Sequence, residues 1–264
     1  GSYPFAEHGL RPAMMLAGRD EAAVRQLIDR GVAADGTFPA GRAYLLSTTD
    51  RNRNVRSAHF EQTVKALDGL LPVEVLAADT ITARQDVLFY FTGLASVPGI
   101  DTLHFMPGAL ADHLTSFGGQ LTDSSQVSAL SWLSAGATAS YGTVTEPCNH
   151  PQKFPLPAAA MLFYVGGATA IEAYWKSVAW PGEGVFVGEP LARPFAPSFH
   201  WNNPHEVEIR LFAVRPGTVQ LTHAASPVGP FRRTGPIAPL RKGINHIRLR
   251  VEATDGFLRP VFSY

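Results

Sequence analysis

The sequence predicts a mainly parallel α/β fold followed by a small β-rich appendage, and three observations carry that expectation. Apolar runs of strand length alternate with segments of helical period as far as residue 193. One of those runs, "DVLFYFTG", is apolar almost throughout, as a strand covered on both faces must be. From about residue 194 the helical period stops and short β-forming runs follow one another between Pro/Gly turns.

Taken in order, "RPAMMLAG" (11–18) reads as a short strand. In the helix that follows it, Ala22, Val24, Leu27 and Ile28 fall near helical spacing, with Asp20 placed to cap. "AYLLSTT" (43–49) is the next strand, and "SAHFEQTVKALDGL" (57–70) offers Phe60, Val64 and Leu67 at steps of three and four. "LPVEVLAA" and "DVLFYFTG" follow as strands, then "TLHFMPGAL" (102–110). "SSQVSALSWLSAG" (124–136) is expected to be a helix ending at Gly136, and "ATASYGTVT" a further strand. "PAAAMLFYVGGATAIEAYWKSV" (157–178) is helical material broken near Gly166 and Gly167, and "GVFVGEPLARPF" a closing strand and turn. Such alternation needs right-handed crossovers, which place helices on both faces of one sheet.

Beyond Pro194, "EVEIRLFAV", "GTVQLTHA", "NHIRLRVEA" and "FLRPVFSY" read as strands. The expected division is therefore an α/β domain over 3–193 and a β-rich appendage over 194–264. About seventy residues is short for a complete immunoglobulin-type sandwich, so the appendage is expected to lean on the α/β body.

Composition narrows the partners. Lys plus Arg and Asp plus Glu both number 22, so no net field gathers nucleic acid or anionic lipid, and no nucleic-acid partner is expected. The local exception, "RNRNVR" (51–56), is expected to be a solvated strand-to-helix loop. One cysteine excludes an intramolecular disulfide and any multi-cysteine metal site. No run approaches the roughly 20 apolar residues of a membrane span, so stable membrane insertion is not expected. Gly1-Ser2 looks like a remnant left by expression, which leaves room for an upstream segment or export signal.

In an open parallel sheet ligands bind beyond the carboxyl ends of the strands. The stretches there are "TTDRNRN", "TGLASVPG", "ADHLTSFGG" and "EPCNHPQKF". If the strands before the last two are neighbours, about 4.8 Å apart, His113 and Cys148 emerge at one rim. A neutral imidazole can take the thiol proton, and an imidazolium can lower the thiol pKa; thiolate is the attacking species. Glu146 or Asp112 would orient the imidazole, and backbone amides of "SFGGQL" would form an oxyanion site. Asp112, Thr115, Ser116 and Lys153 are the expected substrate contacts.

A second reading stands beside this one: Cys148 as a small buried apolar filler and His113 as a histidine tying its loop by hydrogen bonds. Ser116 lacks the glycine spacing of a nucleophile elbow. His104, Asp112, His113, Glu146, Cys148 and His150 supply metal-ligating atoms without motif spacing, so no metal or other cofactor is expected. Tyr174, Trp175 and Trp180 read either as core packing or as a carbohydrate platform.

The order of strand-end motifs resembles that of gingipain-type cysteine peptidases of the caspase-like fold. There one strand ends in a catalytic His-Gly and the next in the catalytic cysteine. A helix, an inner strand, further helices and a closing turn follow, ahead of an immunoglobulin-like domain. "SAGATASYGTV" is similar to the inner strand and "FVGEPLARPF" to the closing turn, over roughly residues 12–195. Thr92-Gly93-Leu94 stands where His-Gly would be wanted, and "PGALADHLTS" offers no cysteine. The resemblance therefore implies either a scaffold without peptidase chemistry or a dyad moved one strand along, to His113 and Cys148.

"PGALADHLTSFGG", "WLSAGATASYGTVTEPC", "KFP", "IEAYWKSV" and "GEPLA" are also similar to an uncharacterised bacterial family associated with exosortase. That likeness implies an exported, periplasmic or extracellular protein. The functional expectation is a thiol hydrolase on envelope polypeptides, possessing an intact or a degenerate site. Its alternative is a non-catalytic binding or scaffolding module with an envelope protein as partner.

Overall fold

The computed structural model describes residues 7, 9, 11–147, 149–251 and 256–263. The chain divides into two compact units, Gly1–Pro194 and Phe195–Tyr264.

The first unit is built on a six-stranded sheet. Its strands are β1 (Arg42–Ser47), β2 (Val73–Ala77), β3 (Val87–Thr92), β4 (Phe105–His113), β5 (Ala139–Thr143) and β6 (Gly184–Gly188), in the order β2-β1-β3-β4-β5-β6. All neighbouring pairs are parallel except β5 with β6. Around them run α1 (Glu21–Ala34), α2 (Phe60–Leu67), α3 (Ala129–Ala135), α4 (Pro157–Val165) and α5 (Ala170–Ser177). The expected α/β sheet flanked by helices is thus present.

Every residue of β3 is buried, and its alternating side chains show why. Phe89 meets Tyr164 of α4 edge-on at 6.0 Å, whereas Tyr90 meets Trp132 of α3 at 5.1 Å. Successive side chains of a strand point to opposite faces, so helices cover the sheet on both sides. Trp132, Tyr44, Tyr90 and Phe105 anchor one of these layers.

Local signals set the helix ends. Asp20 accepts from the Ala23 amide at 2.8 Å and starts α1. Ser128 caps α3, which stops at Gly136 with φ +118, a conformation suited to glycine. Thr169 and Glu172 close a reciprocal capping box on α5.

Three expectations need correction. "RPAMMLAG" forms no strand; Met15 makes a single bridge to Val187, which covers part of the outer edge of β6. β4 does not stop at Leu110 but runs through Asp112 and His113. "RNRNVR" is not a solvated loop: Arg51 is exposed, but Arg53 is half-buried and Arg56 is only 3% exposed, in a short 3-10 turn over Asn54–His59.

The second unit holds β7 (Ser198–Asn203), β8 (Glu206–Ala213), β9 (Gly217–Ala224), β10 (Arg232–Leu240), β11 (Gly243–Arg250) and β12 (Phe257–Ser263). They form two antiparallel three-stranded sheets, β10-β9-β12 and β11-β8-β7. Val207, Ile209 and Leu211 of β8, Val219 and Leu221 of β9, and Leu249 of β11 share one core, so the sheets pack face to face. β7 and β10 were not anticipated from sequence.

No helix among the described residues is long and apolar enough to cross a membrane.

Candidate functional site

The strand order turns back between β1 and β3, and the crevice beyond their carboxyl ends is where a sheet of this kind offers a ligand site. Here the chain fills that crevice itself. A Cβ on Gly93, just past β3, would lie 1.9 Å from the Arg53 carbonyl oxygen, so the two loops touch backbone to backbone and only glycine fits. Thr48 donates to the Gly93 carbonyl at 2.7 Å, and Asn54 ties back to the Thr48 amide at 3.0 Å.

Arg56 enters the protein from this turn. Its guanidinium donates to Asp112 Oδ1 at 2.6 Å, to the Thr92 carbonyl at 2.7 Å and to the Pro155 carbonyl at 3.3 Å. The rings of Phe91 and Phe154 flank it at 5.6 and 5.7 Å. Asp112 is fully buried, and burial pushes its carboxyl up to about 6 while Arg56 pulls it back. Among the described residues, Asp112 Oδ2 and Arg56 Nε have no hydrogen-bond partner. The pair therefore sits in a costly environment in which each charge depends on the other.

His113, the next residue, points to the opposite face of β4 and is equally buried. Trp132 Nε1–H donates to its Nδ1 at 2.8 Å, and its Nε2 lies 2.9 Å from the Val127 carbonyl. Since Nδ1 accepts, the proton resides on Nε2 and is donated to Val127, which fixes the neutral tautomer. Burial lowers the imidazole to about 4; the Val127 hydrogen bond opposes that, and Arg56 and Arg53 add to it. Neither ring nitrogen has a lone pair or proton left to exchange with a thiol.

The loop after β4 is equally occupied. Thr115 and Ser116 are buried, and Thr143 Oγ1 lies 2.7 and 2.9 Å from their carbonyl oxygens. Arg53 Nε donates to Thr115 Oγ1 at 3.0 Å, which in turn donates to Gln126 Oε1 at 2.8 Å. Gly118 and Gly119 lie on Gly142 so closely that a Cβ on Gly142 would be 2.2 Å from the Gly118 carbonyl carbon. Amides of "SFGGQL" are spent here: Gly119 N–H donates to the Thr143 carbonyl at 2.8 Å and Phe117 N–H to Gln126 at 2.9 Å.

Lys153 is only 3% exposed. Its ammonium donates to Thr145 Oγ1 at 2.6 Å and to the Thr145 and Pro147 carbonyls at 2.8 and 3.2 Å, with Glu183 at 3.6 Å. It holds the loop after β5 from beneath. Glu146 is exposed on that loop, as are Asn149 and His150; His150 lies 5.8 Å from the Trp180 ring. Cys148 lies outside the described residues.

The expected site residues thus separate into two sets. Asp112, His113, Thr115, Ser116 and Lys153 are all buried, each engaged by its own partners, and Glu146 is exposed. Of the aromatic cluster read as core packing or, alternatively, as a carbohydrate platform, Tyr174 is fully buried and Trp180 is exposed. Sequence reasoning missed Arg53 and Arg56, whose partners Thr115 and Asp112 lie 62 and 56 residues away, and also Gln126 and Trp132, which hold Thr115 and His113 from 11 and 19 residues along. No family model, curated protein or solved structure matches this chain.

Proposed function

We propose that this chain is a non-catalytic binding or scaffolding module: a caspase-like α/β body whose exposed strand-end loops recognise a polypeptide of the bacterial envelope. The single observation that carries this reading is His113, buried with both ring nitrogens engaged by Trp132 and Val127. A base for thiol chemistry needs an accessible lone pair, which this histidine does not have.

The caspase-like part of the proposal draws support from chain order. Strand β3 ends in Thr92, β4 ends in Asp112-His113, and a helix, an inner strand, two helices, a closing strand and turn, and a β unit follow. That is the succession of the gingipain-type peptidases, with threonine and histidine where they carry histidine and cysteine. The envelope address rests on the likeness to the exosortase-associated family. The surface offered to a partner is the loop of Glu146, Pro147, Asn149 and His150, held by Lys153.

Alkylation of Cys148 by iodoacetamide, followed against pH, tests the reading. A scaffold predicts the same profile in the parent and in a folded His113→Gln variant, in which the amide can replace one acceptor and one donor. A profile slowed by that substitution at neutral pH would restore the hydrolase reading.

A further inference from the structure

The β unit carries an exposed feature that the loop reading does not use. In β7, Phe199 stands opposite Ile209 and Trp201 opposite Val207, so both rings are on the side of that sheet that faces the core. Ile209 and Val207 are 0% and 2% exposed, yet Phe199 and Trp201 are each 47% exposed. Two core-side aromatics on one strand are therefore left half in water.

They line a cleft of about 280 Å³, together with Val207, Leu221, His223 and Leu258. The sandwich is closed where β10 meets β11 and open here, between the outer strands β7 and β12. The backbone on the two sides of the opening differs. Strand β12 contains Pro260 and Arg259, devices that discourage further pairing. β7, "SFHWNN", has no proline, lysine or glycine, all six residues are exposed, its register against β8 shifts only between Trp201 and Asn203, and among the described residues it pairs with β8 alone. From Ser198 to Trp201 its outward N–H and C=O groups form a regular, unblunted edge directly beside an apolar cleft.

We propose that β7 is an acceptor edge for an extended segment of a partner polypeptide. Such a segment pairs with the β7 backbone and sets apolar side chains from alternate positions into the cleft against Phe199 and Trp201. The unpaired amides select a polypeptide over a sugar or an acyl chain, since those ligands would leave the edge unmatched. This proposal uses no residue of the α/β rim, so either can fail without the other.

The test uses the full chain and a fluorescein-labelled peptide of alternating valine and threonine flanked by lysines, read by anisotropy. The expected result is saturable binding, weakened about tenfold or more by N-methylation of alternate peptide amides and by Trp201→Ser. Hydrogen exchange should show β7 amides slowed about tenfold or more by the unmodified peptide. Absence of saturable binding, equal binding of the N-methylated peptide, or protection that spares β7 overturns the proposal. So does displacement of the peptide by an alkyl glycoside alone, which would mark a detergent-like cleft, or self-association lost in Trp201→Ser, which would mark a second copy as occupant.

Discussion

The rim of the α/β sheet and the seam of the β unit are opposites. At the rim, polar side chains placed where a ligand would bind are turned inward and used up by the protein: Arg56 on Asp112, His113 on Trp132 and Val127, Lys153 on its own loop. At the seam, Phe199 and Trp201 face the core side and stay half exposed, beside a strand edge to which no described residue pairs. The difference teaches that position on a fold does not make a site. Unspent hydrogen-bonding capacity and unburied apolar surface do.

The contrast can be broken most forcefully at Arg56. Arg56→Ala should cost about 3–5 kcal/mol in denaturant unfolding, because it strands the Asp112 carboxylate in the interior. Arg56→Met combined with Asp112→Leu should recover most of that loss. Equal losses in the single and double variants would mean that packing rather than charge pairing holds the rim.

The pH dependence sharpens the comparison next. His113 is depressed to about 4 in the fold, so its contribution is fully present above its ordinary 6.5 and is lost as pH falls through 4. Asp112 is raised to about 6, so its contribution is fully present below its ordinary 3.8 and is lost as pH rises through 6. Between those limits the two oppose each other and flatten the profile. His113→Gln removes one side: the variant should gain about 3 kcal/mol relative to the parent between pH 6.5 and 4. Parallel profiles for the two proteins would contradict the placement of His113.

Trp132→Phe should cost about 1–3 kcal/mol, since it leaves His113 Nδ1 buried without a donor. Trp201→Ser is expected to have the smallest effect, no more than about 1 kcal/mol, because nearly half of that ring is already in water. A large loss for Trp201→Ser would show that the seam is core and not an open edge.

How far the letters reach depends on the range of the interaction. The β3 strand was legible because six consecutive residues are buried and "VLFYFT" says so without reference to any partner. The break in α4 and α5 at Gly166-Gly167 and the end of α3 at Gly136 were legible for the same local reason. The end of β4 was obscured by Asp112 and His113, whose polar side chains read as a loop after Leu110, although both are buried and the strand runs through them. Likewise β10, with Gly235, Pro236 and Pro239, has the composition of a turn.

The site was less legible than the fold. "RNRNVR" looks solvated because burying an arginine requires a carboxylate, and that carboxylate lies 56 residues away. The Trp132 donor that settles the state of His113 is 19 residues along, on another element. Residue types and strand ends singled out a neighbourhood; which groups are spent there is decided by contacts that no local pattern encodes.

The central claim concerns one imidazole, and nitrogen-detected NMR of the His113 ring tests it most directly. The account predicts a neutral ring protonated at Nε2, with no titration between pH 5 and 8 and no response to alkylation of Cys148. A ring that titrates near 6.5, or whose nitrogen shifts move when the thiol is modified, would contradict it.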